Sequence, residues 1–380
     1  MARRKKFRRG LTALLAICCL IIGTIGGFYG CFEFDMMGGG PSQSDDPDFA
    51  PQKPSVINSG ELSINFLELG NKFTGDCTYI KAGEVDILID AGSKTSSIPT
   101  IDAFLKQNVA DGVLEYVIVT HAHLDHYAGF ATNEKTDSIF DLYECETIID
   151  FSQTEKGKTD TPTYKNYVRE RDAEVAAGAV HYTAEECMTQ DKSIFDLGDG
   201  IELQILDSYF YYNRGPSEND HSVCVMINQG DRHFLFTGDL EAEGEEKLVE
   251  MNDLPEVELY KAGHHGSKTS SSTALLEVVK PKMVAVCCCC GSPEYTKTNE
   301  NQFPTQAFID RIAPYTDKVY VTTLCVDYEN AVFTSMNGNI TVLSSASGVS
   351  VNCSNNNTPL KDTEWFKNNR ICPDAWKSAA

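Results

Sequence analysis

At 380 residues the chain is long enough for one large domain or two modest ones, and its 42% apolar content is ordinary for a globular protein. The net charge of −23 is not ordinary: six of the 32 basic residues lie in the first ten positions, so the remainder sets 26 basic groups against 55 acidic ones. Such a surface repels polyanions, which argues against tight, sequence-independent DNA binding and against a stable nucleic-acid complex.

Arg3, Arg4, Lys5, Lys6, Arg8 and Arg9 precede residues 11–32, LTALLAICCLIIGTIGGFYGCF, which carry no charge. That stretch is long enough to span a bilayer, and residues 1–10 would stay on its cytoplasmic side. Two readings follow. One is a single-pass anchor in the cell membrane with the rest of the chain outside. The other is a signal segment cleaved from a secreted protein. Residues 33–60, with GGGPSQSDDPDFAPQKPS, have the composition of a flexible linker.

From Glu61 the pattern changes. SINFLEL, CTYIKA and VDILIDAG read as strands, SIPTIDAFLKQNVA as a helix, and EYVIVT as a strand that ends at His121. Residues 131–197 are polar and less regular, with a helical stretch at 164–177. IELQILDS, SVCVMIN and HFLFTGD follow as strands. LEAEGEEKLVEM is a helix with acidic residues at its start, where the dipole favours them. VELYKAG, MVAVCCC, KVYVTT, AVFTS and NITVL complete the strands, with SSTALLEVV and TQAFIDRIA as helices between them. This interleaving predicts an α/β domain over residues 61–345, sheets covered by helices, and then a tail at 346–380. Cys287 to Cys290 read as a buried strand, whose alternating faces keep four sulfurs from converging on one metal. Cys353 and Cys372, in the tail, are placed to pair outside the cell.

The eight histidines carry the strongest signal. His121, His123 and His126 lie with Asp125 in THAHLDHYAG, directly after a β-rich run. His264 and His265 are adjacent after VELYKAG, and His221 precedes SVCVMIN. Imidazoles and carboxylates gathered at strand ends are what a borderline divalent ion needs. A tight turn can aim His121 and His123 at one ion, and Asp125 and His126 at a second. Asp239, at the end of FLFTGD, can bridge the two, and paired ions activate a water between them. In an extended segment His264 and His265 would point opposite ways, so one is expected to hold a metal while the other contacts substrate or orients a leaving group. Ser267, Lys268 and Ser270 follow, offering a cation and hydroxyl donors that suit a phosphate oxygen. The aromatic run Tyr209, Phe210, Tyr211 and Tyr212 is either packing beneath a loop or a wall for a base, a sugar or a quaternary amine.

These motifs have a family counterpart. THAHLDH resembles the His-x-His-x-Asp-His signature of the metallo-beta-lactamase superfamily, LIDAG (Asp90) its first motif, and TGDL (Asp239) its bridging aspartate. GHHGSKTSSS, TGDCTYI and ENDHSVCVMI (Asn219, Ser222) resemble the competence-protein subgroup, the ComEC-type hydrolase domain. Extracellular phosphodiesterase and phosphorylcholine esterase relatives carry a similar pattern. The resemblance implies a four-layer αββα sandwich with two metal ions, zinc or manganese, at one sheet edge. It implies His121, His123, Asp125, His126, His221, Asp239, His264 and His265 as the pool of metal ligands, with Asp125, His264 and Lys268 in catalysis. His221 departs from the usual third-histidine motif and is either a ligand or a lining residue. Residues 131–200 form a longer insert than the subgroup needs, expected to shape the substrate pocket. The implied function is an extracytoplasmic phosphodiesterase acting on a cell-envelope phosphodiester or on nucleic acid. A β-lactamase or lactonase, and a membrane-tethered binding module with a vestigial site, are the alternatives.

Overall fold

The computed structural model describes residues 61–131, 136–155 and 157–377. The basic segment 1–10, the anchor or signal at 11–32 and the linker at 33–60 lie outside the described residues. Among the described residues no helix is long and apolar enough to cross a membrane.

The strands in chain order are β1 (Leu62–Phe66), β2 (Thr78–Ala82), β3 (Val85–Ile89), β4 (Val113–Val119), β5 (Glu144–Asp150), β6 (Val180–Thr183), β7 (Ile194–Gly198) and β8 (Ile201–Ile205), followed by β9 (Val225–Gln229), β10 (Arg232–Phe236), β11 (Leu259–Lys261), β12 (Val284–Cys290), β13 (Val319–Asp327), β14 (Val332–Ser335), β15 (Ile340–Ser345) and β16 (Gly348–Cys353). They form two eight-stranded sheets, ordered β16-β15-β1-β2-β3-β4-β5-β6 and β14-β13-β12-β11-β10-β9-β8-β7. Pairing from β3 through β6 is parallel, as it is from β10 through β13, and the remaining ladders are antiparallel. Parallel neighbours need crossovers, and helices such as Ile98–Asn108, Pro162–Ala177, Ala242–Met251 and Thr273–Val279 supply them.

The period of two in the strands divides the core. On β10, Phe234 and Phe236 join an apolar cluster shared by both sheets, while Leu235 joins a second cluster with the helical residues Leu248, Leu275 and Phe308. On β12, Ala285 and Cys287 face the first cluster, and Val284, Val286, Cys288 and Cys290 the second. The four consecutive cysteines are thus core residues on two faces of one buried strand. Cys353 and Cys372 are free thiols packed against different clusters.

Two expectations about chain organisation are corrected. Residues 131–200 are not a simple insert: they contain β5, β6 and β7, which extend both sheets. Their apolar pattern is weak because β6 and β7 are half-exposed edge strands, so neither reads as a continuous run. The chain after Ser345 is not a tail either. β16 pairs with β15, and Phe366 and Trp376 are buried. The asparagines of this stretch serve the fold: Asn356 Nδ2 donates to Met336 O at 2.8 Å, and Asn337 Nδ2 donates to Asn356 O at 2.8 Å. Polar composition here marks capped backbone rather than solvation.

Arg370 clasps this C-terminal segment to the loop after β12. Its guanidinium donates to Pro304 O (3.0 Å), Gln302 O (2.6 Å) and Asn299 Oδ1 (2.9 Å), and lies 4.5 Å from the Trp365 ring centroid. Arg370→Ala is expected to lower stability by about 2 kcal/mol, the scale of charged hydrogen bonds whose carbonyl partners are left unmade. A shifted urea midpoint with an unchanged m-value checks it.

Candidate metal centre

The site lies where β3, β4, β10 and β11 run out at one edge of the two sheets. Asp90 follows β3, Thr120 to His126 follow β4, Asp239 follows β10, and His264 and His265 follow β11. Parallel strands end side by side, so loops distant in sequence meet there.

Backbone packing ties the first two of these segments to each other and to the loop at Asp76. Asp76 N–H donates to Asp125 O (2.9 Å), Ala91 N–H to His126 O (2.7 Å) and Gly92 N–H to Asp76 O (2.8 Å). A Cβ on Gly92 would fall 1.6 Å from Asp125 O, so only glycine allows the approach.

Four imidazoles converge on one carboxylate oxygen. His126 Nε2 lies 3.2 Å from Asp239 Oδ2, His265 Nε2 3.4 Å, and His121 Nε2 and His264 Nε2 each 3.9 Å. His123 Nδ1 faces His121 Nε2 at 3.0 Å. Asp125 Oδ2 lies 3.5 Å from His265 Nε2. The other ring nitrogens are tied to the scaffold. His126 Nδ1–H donates to Asp90 Oδ2 (2.7 Å), which also receives Thr120 Oγ1–H (2.8 Å). His265 Nδ1–H donates to Cys287 O (2.9 Å) and lies 3.2 Å from Asp76 Oδ1. His121 Nδ1 lies 3.1 Å from Thr120 Oγ1 and 3.4 Å from Ser222 Oγ. One nitrogen fixed by an outer partner and the other aimed inward is how metal-binding histidines are held.

The electrostatics fit a cation. Burial acts to raise the Asp239 pKa, yet His126, His265 and His264 hold it well below the usual carboxylate range. Asp125 is likewise held well below its usual range against burial, chiefly by the neighbouring imidazole of His265 and the charge of His126. His126 and His265 are pushed the other way. Burial acts to lower them, but Asp239, with Asp90 or Asp76, lifts both well above a free imidazole. His121 is lowered well below its usual value by burial and by the His126 charge. Buried Asp239 Oδ1 and His265 Nε2 make no hydrogen bond. Leaving such atoms unsatisfied is costly, and a divalent ion among these nitrogen and oxygen donors would satisfy both. Donor atoms of Asp76, His126, Asp239 and His265 all lie within 4.8 Å of one another. Within that group Asp76 serves to orient, since it pairs with the buried ammonium of Lys261 and faces the outer nitrogen of His265.

His264 and His265 differ from the extended arrangement expected for them. Both are left-handed, with φ of 47° and 55°, and the tight turn swings both rings toward Asp239. Such a conformation costs about 1–2 kcal/mol per residue, held here by surrounding bonds such as His264 N–H to Gly238 O. His265 is buried, whereas His264 lines the cleft above the site.

Other expected residues stand apart. The His221 ring accepts from Gly215 N–H at Nε2 (3.1 Å) and has Nδ1 3.8 Å from Glu218, so it closes its own loop rather than joining the imidazole cluster. Lys268 is exposed and outside the cleft lining, and Arg311 donates to the carbonyls of Lys268 (3.1 Å), Ser270 (2.7 Å) and Ser271 (2.8 Å). Ser267 and Ser270 are buried in that turn. Phe210 and Tyr211 are buried packing, with Cys224 N–H donating to the Tyr211 hydroxyl (2.9 Å).

Sequence reasoning missed three residues at the site. Asp76 lies in TGDCTYI, where no neighbouring histidine or acid marks it as part of a site. Lys261 is a lysine ending a buried three-residue strand directly before the histidine pair, and a charge in so apolar a run was the available signal. Tyr295 sits in an aperiodic loop that gave none. It donates from its hydroxyl to Asp125 Oδ2 at 2.6 Å across the mouth of a cleft of about 540 Å³. Tyr295→Phe is expected to weaken metal binding by about 10–100-fold, the scale of lost outer partners. Titration with a metal indicator checks it, and activity should return at excess metal.

Residues 70–132 match the family model described as the metallo-beta-lactamase superfamily. That segment is similar to the metallo-beta-lactamase superfamily. Recombination protein 2 of Haemophilus influenzae is 26% identical over 263 residues, covering 69% of this chain and 28% of that protein. ComE operon protein 3 of Bacillus subtilis is 30% identical over 88 residues, covering 22% of this chain and 11% of that protein. The chain therefore spans less than a third of the length of either relative. The metallo-beta-lactamase fold protein YhfI from Bacillus subtilis aligns with a TM-score of 0.41 at 10% identity, covering 72% of this chain and 99% of that one. The segment matched by the family model holds Asp76, Asp90 and the whole His121 to His126 motif.

Proposed function

We propose that this domain is a metal-dependent phosphodiesterase acting outside the cytoplasm, on a cell-envelope phosphodiester or on nucleic acid. The observation that carries the reading is the convergence of His121, His126, His264 and His265 on Asp239, with Asp125 beside them at the floor of an open cleft. Two divalent ions would supply an activated hydroxide and neutralise charge growing on the reacting group.

The chain's own residues do the rest. Asp90, the Cys287 carbonyl and Thr120 fix the ring planes of His126, His265 and His121. The Tyr295 hydroxyl holds the Asp125 carboxylate, keeping one of its oxygens in place as substrate enters. His264, on the cleft wall, is placed to reach a leaving-group oxygen. The strongly acidic composition favours a small envelope phosphodiester over a nucleic-acid strand.

The test is metal analysis and a substrate panel on the purified protein. About two transition-metal ions per chain are expected, with turnover of bis-p-nitrophenyl phosphate or p-nitrophenyl phosphorylcholine above that of nitrocefin. Single-stranded DNA in the same panel separates the two substrate classes. Less than half an equivalent of metal after supplementation, or nitrocefin as the best substrate, would sink the reading.

A further inference from the structure

A phosphodiester approaching this cleft meets Asp125, Asp239 and Glu294, all carboxylates. Cations must offset them, and the lining contains two candidates, Lys94 and Lys158. Lys94 is already engaged. Its ammonium is 4.0 Å from Glu294 and 4.9 Å from the centroid of Phe73. Lys158 has no carboxylate within ion-pair distance among the described residues, and it lines the cleft together with His123 and Asp125.

The backbone under Lys158 is fixed. Lys158 N–H donates to Glu155 O (3.3 Å), while Thr161 N–H (3.2 Å) and Thr161 Oγ1–H (3.0 Å) donate to Lys158 O. Thr161 Oγ1 also accepts from Tyr164 N–H (3.2 Å), capping the helix Pro162–Ala177. The side chain therefore leaves a pinned turn on the wall that adjoins the His123 edge of the metal centre.

We propose that Lys158 is the cation that seats the anionic group of the substrate, so that phosphate esters are selected over neutral esters and lactams. This rests on the phosphodiesterase reading for its substrate class. Lysine suits the task as a compact charge on a flexible stem, able to follow a phosphate oxygen as it moves. Standing beside the metal centre, it adds affinity for the anion without needing to be a metal ligand. The role expected of Lys268 thus passes to a residue more than a hundred positions upstream in the chain.

Orthophosphate binding to the metal-loaded protein, measured by calorimetry, is the readout, because it needs no turnover. Lys158→Gln should weaken binding about 10-fold, the lower end for a charge-assisted hydrogen bond. Lys158→Arg should recover most of the loss, and metal content should stay unchanged in both. Raised ionic strength should narrow the difference between Lys158→Gln and the unsubstituted protein. Phosphate affinity unchanged in Lys158→Gln overturns the proposal, as does a loss in Lys268→Gln alone or no binding by the unsubstituted protein. If the protein cleaves no phosphodiester but Lys158→Gln still loses phosphate, the anion seat stands and the phosphodiesterase reading falls.

Discussion

Replacing Asp239 with Asn is expected to halve the metal content or worse, and to lower the best hydrolytic rate by about 100–1,000-fold, the scale of losing one group that stabilises reacting charge. A single oxygen, Asp239 Oδ2, faces His121, His126, His264 and His265 at 3.2 to 3.9 Å. On the two-metal reading, its charge would draw the two cations close together. An amide of the same shape offers no net charge, and its NH2 group would face the imidazole nitrogens of His126 and His265 in place of an acceptor oxygen. The fold should survive, since Asn preserves volume and the Asp239 N–H bond to Ser222 Oγ (3.0 Å) is a backbone contact. Elemental analysis, circular dichroism and initial rates on one preparation separate these effects. Full metal content with a normal rate would remove Asp239 from the centre of the site.

Gly92→Ala should act through the backbone and lose both stability and metal. The added methyl would lie 1.6 Å from Asp125 O and 2.2 Å from its carbonyl carbon. That carbonyl cannot simply retreat, because it accepts from Asp76 N–H, and the next residue, His126, accepts from Ala91 N–H. Forcing the strands apart is expected to cost about 3 kcal/mol or more. For a domain of this size that is a fall in melting temperature of roughly 6–12 °C. Moving Asp125 and His126 by even a fraction of an ångström should also weaken metal binding. Calorimetric melting with and without zinc checks both effects, and a variant with the parental melting temperature in each condition would contradict the geometry.

Local chemistry determined much of this protein in advance. The alternation in CTYIKA, EYVIVT and HFLFTGD needs only the two-residue period of a strand and the gain from burying apolar side chains, so those strands could be read directly. The helices Thr273–Val279 and Gln306–Ile312 were legible from apolar residues at helical spacing, with Ser272 and Thr305 capping them as side-chain acceptors. His121, His123, Asp125 and His126 stood out because so many polar groups rarely follow a buried strand without a shared partner.

Tertiary structure alone decided the rest. β6, β7 and β16 are short or half-exposed, and their stability comes from neighbours rather than from their own pattern. The left-handed turn that sends both His264 and His265 toward Asp239 costs energy locally and exists only because the surrounding contacts hold it. Lys268 follows the histidine pair in sequence, yet its side chain is exposed and does not line the cleft. Asp76, Lys158, Lys261 and Tyr295 come from four different segments, and nothing in their own neighbourhoods marks a common purpose. Proximity in sequence predicts a ligand cluster when one turn makes it. The outer partners of a metal site are recruited across the sheet edge, and only the packing of the two sheets brings them within bonding distance.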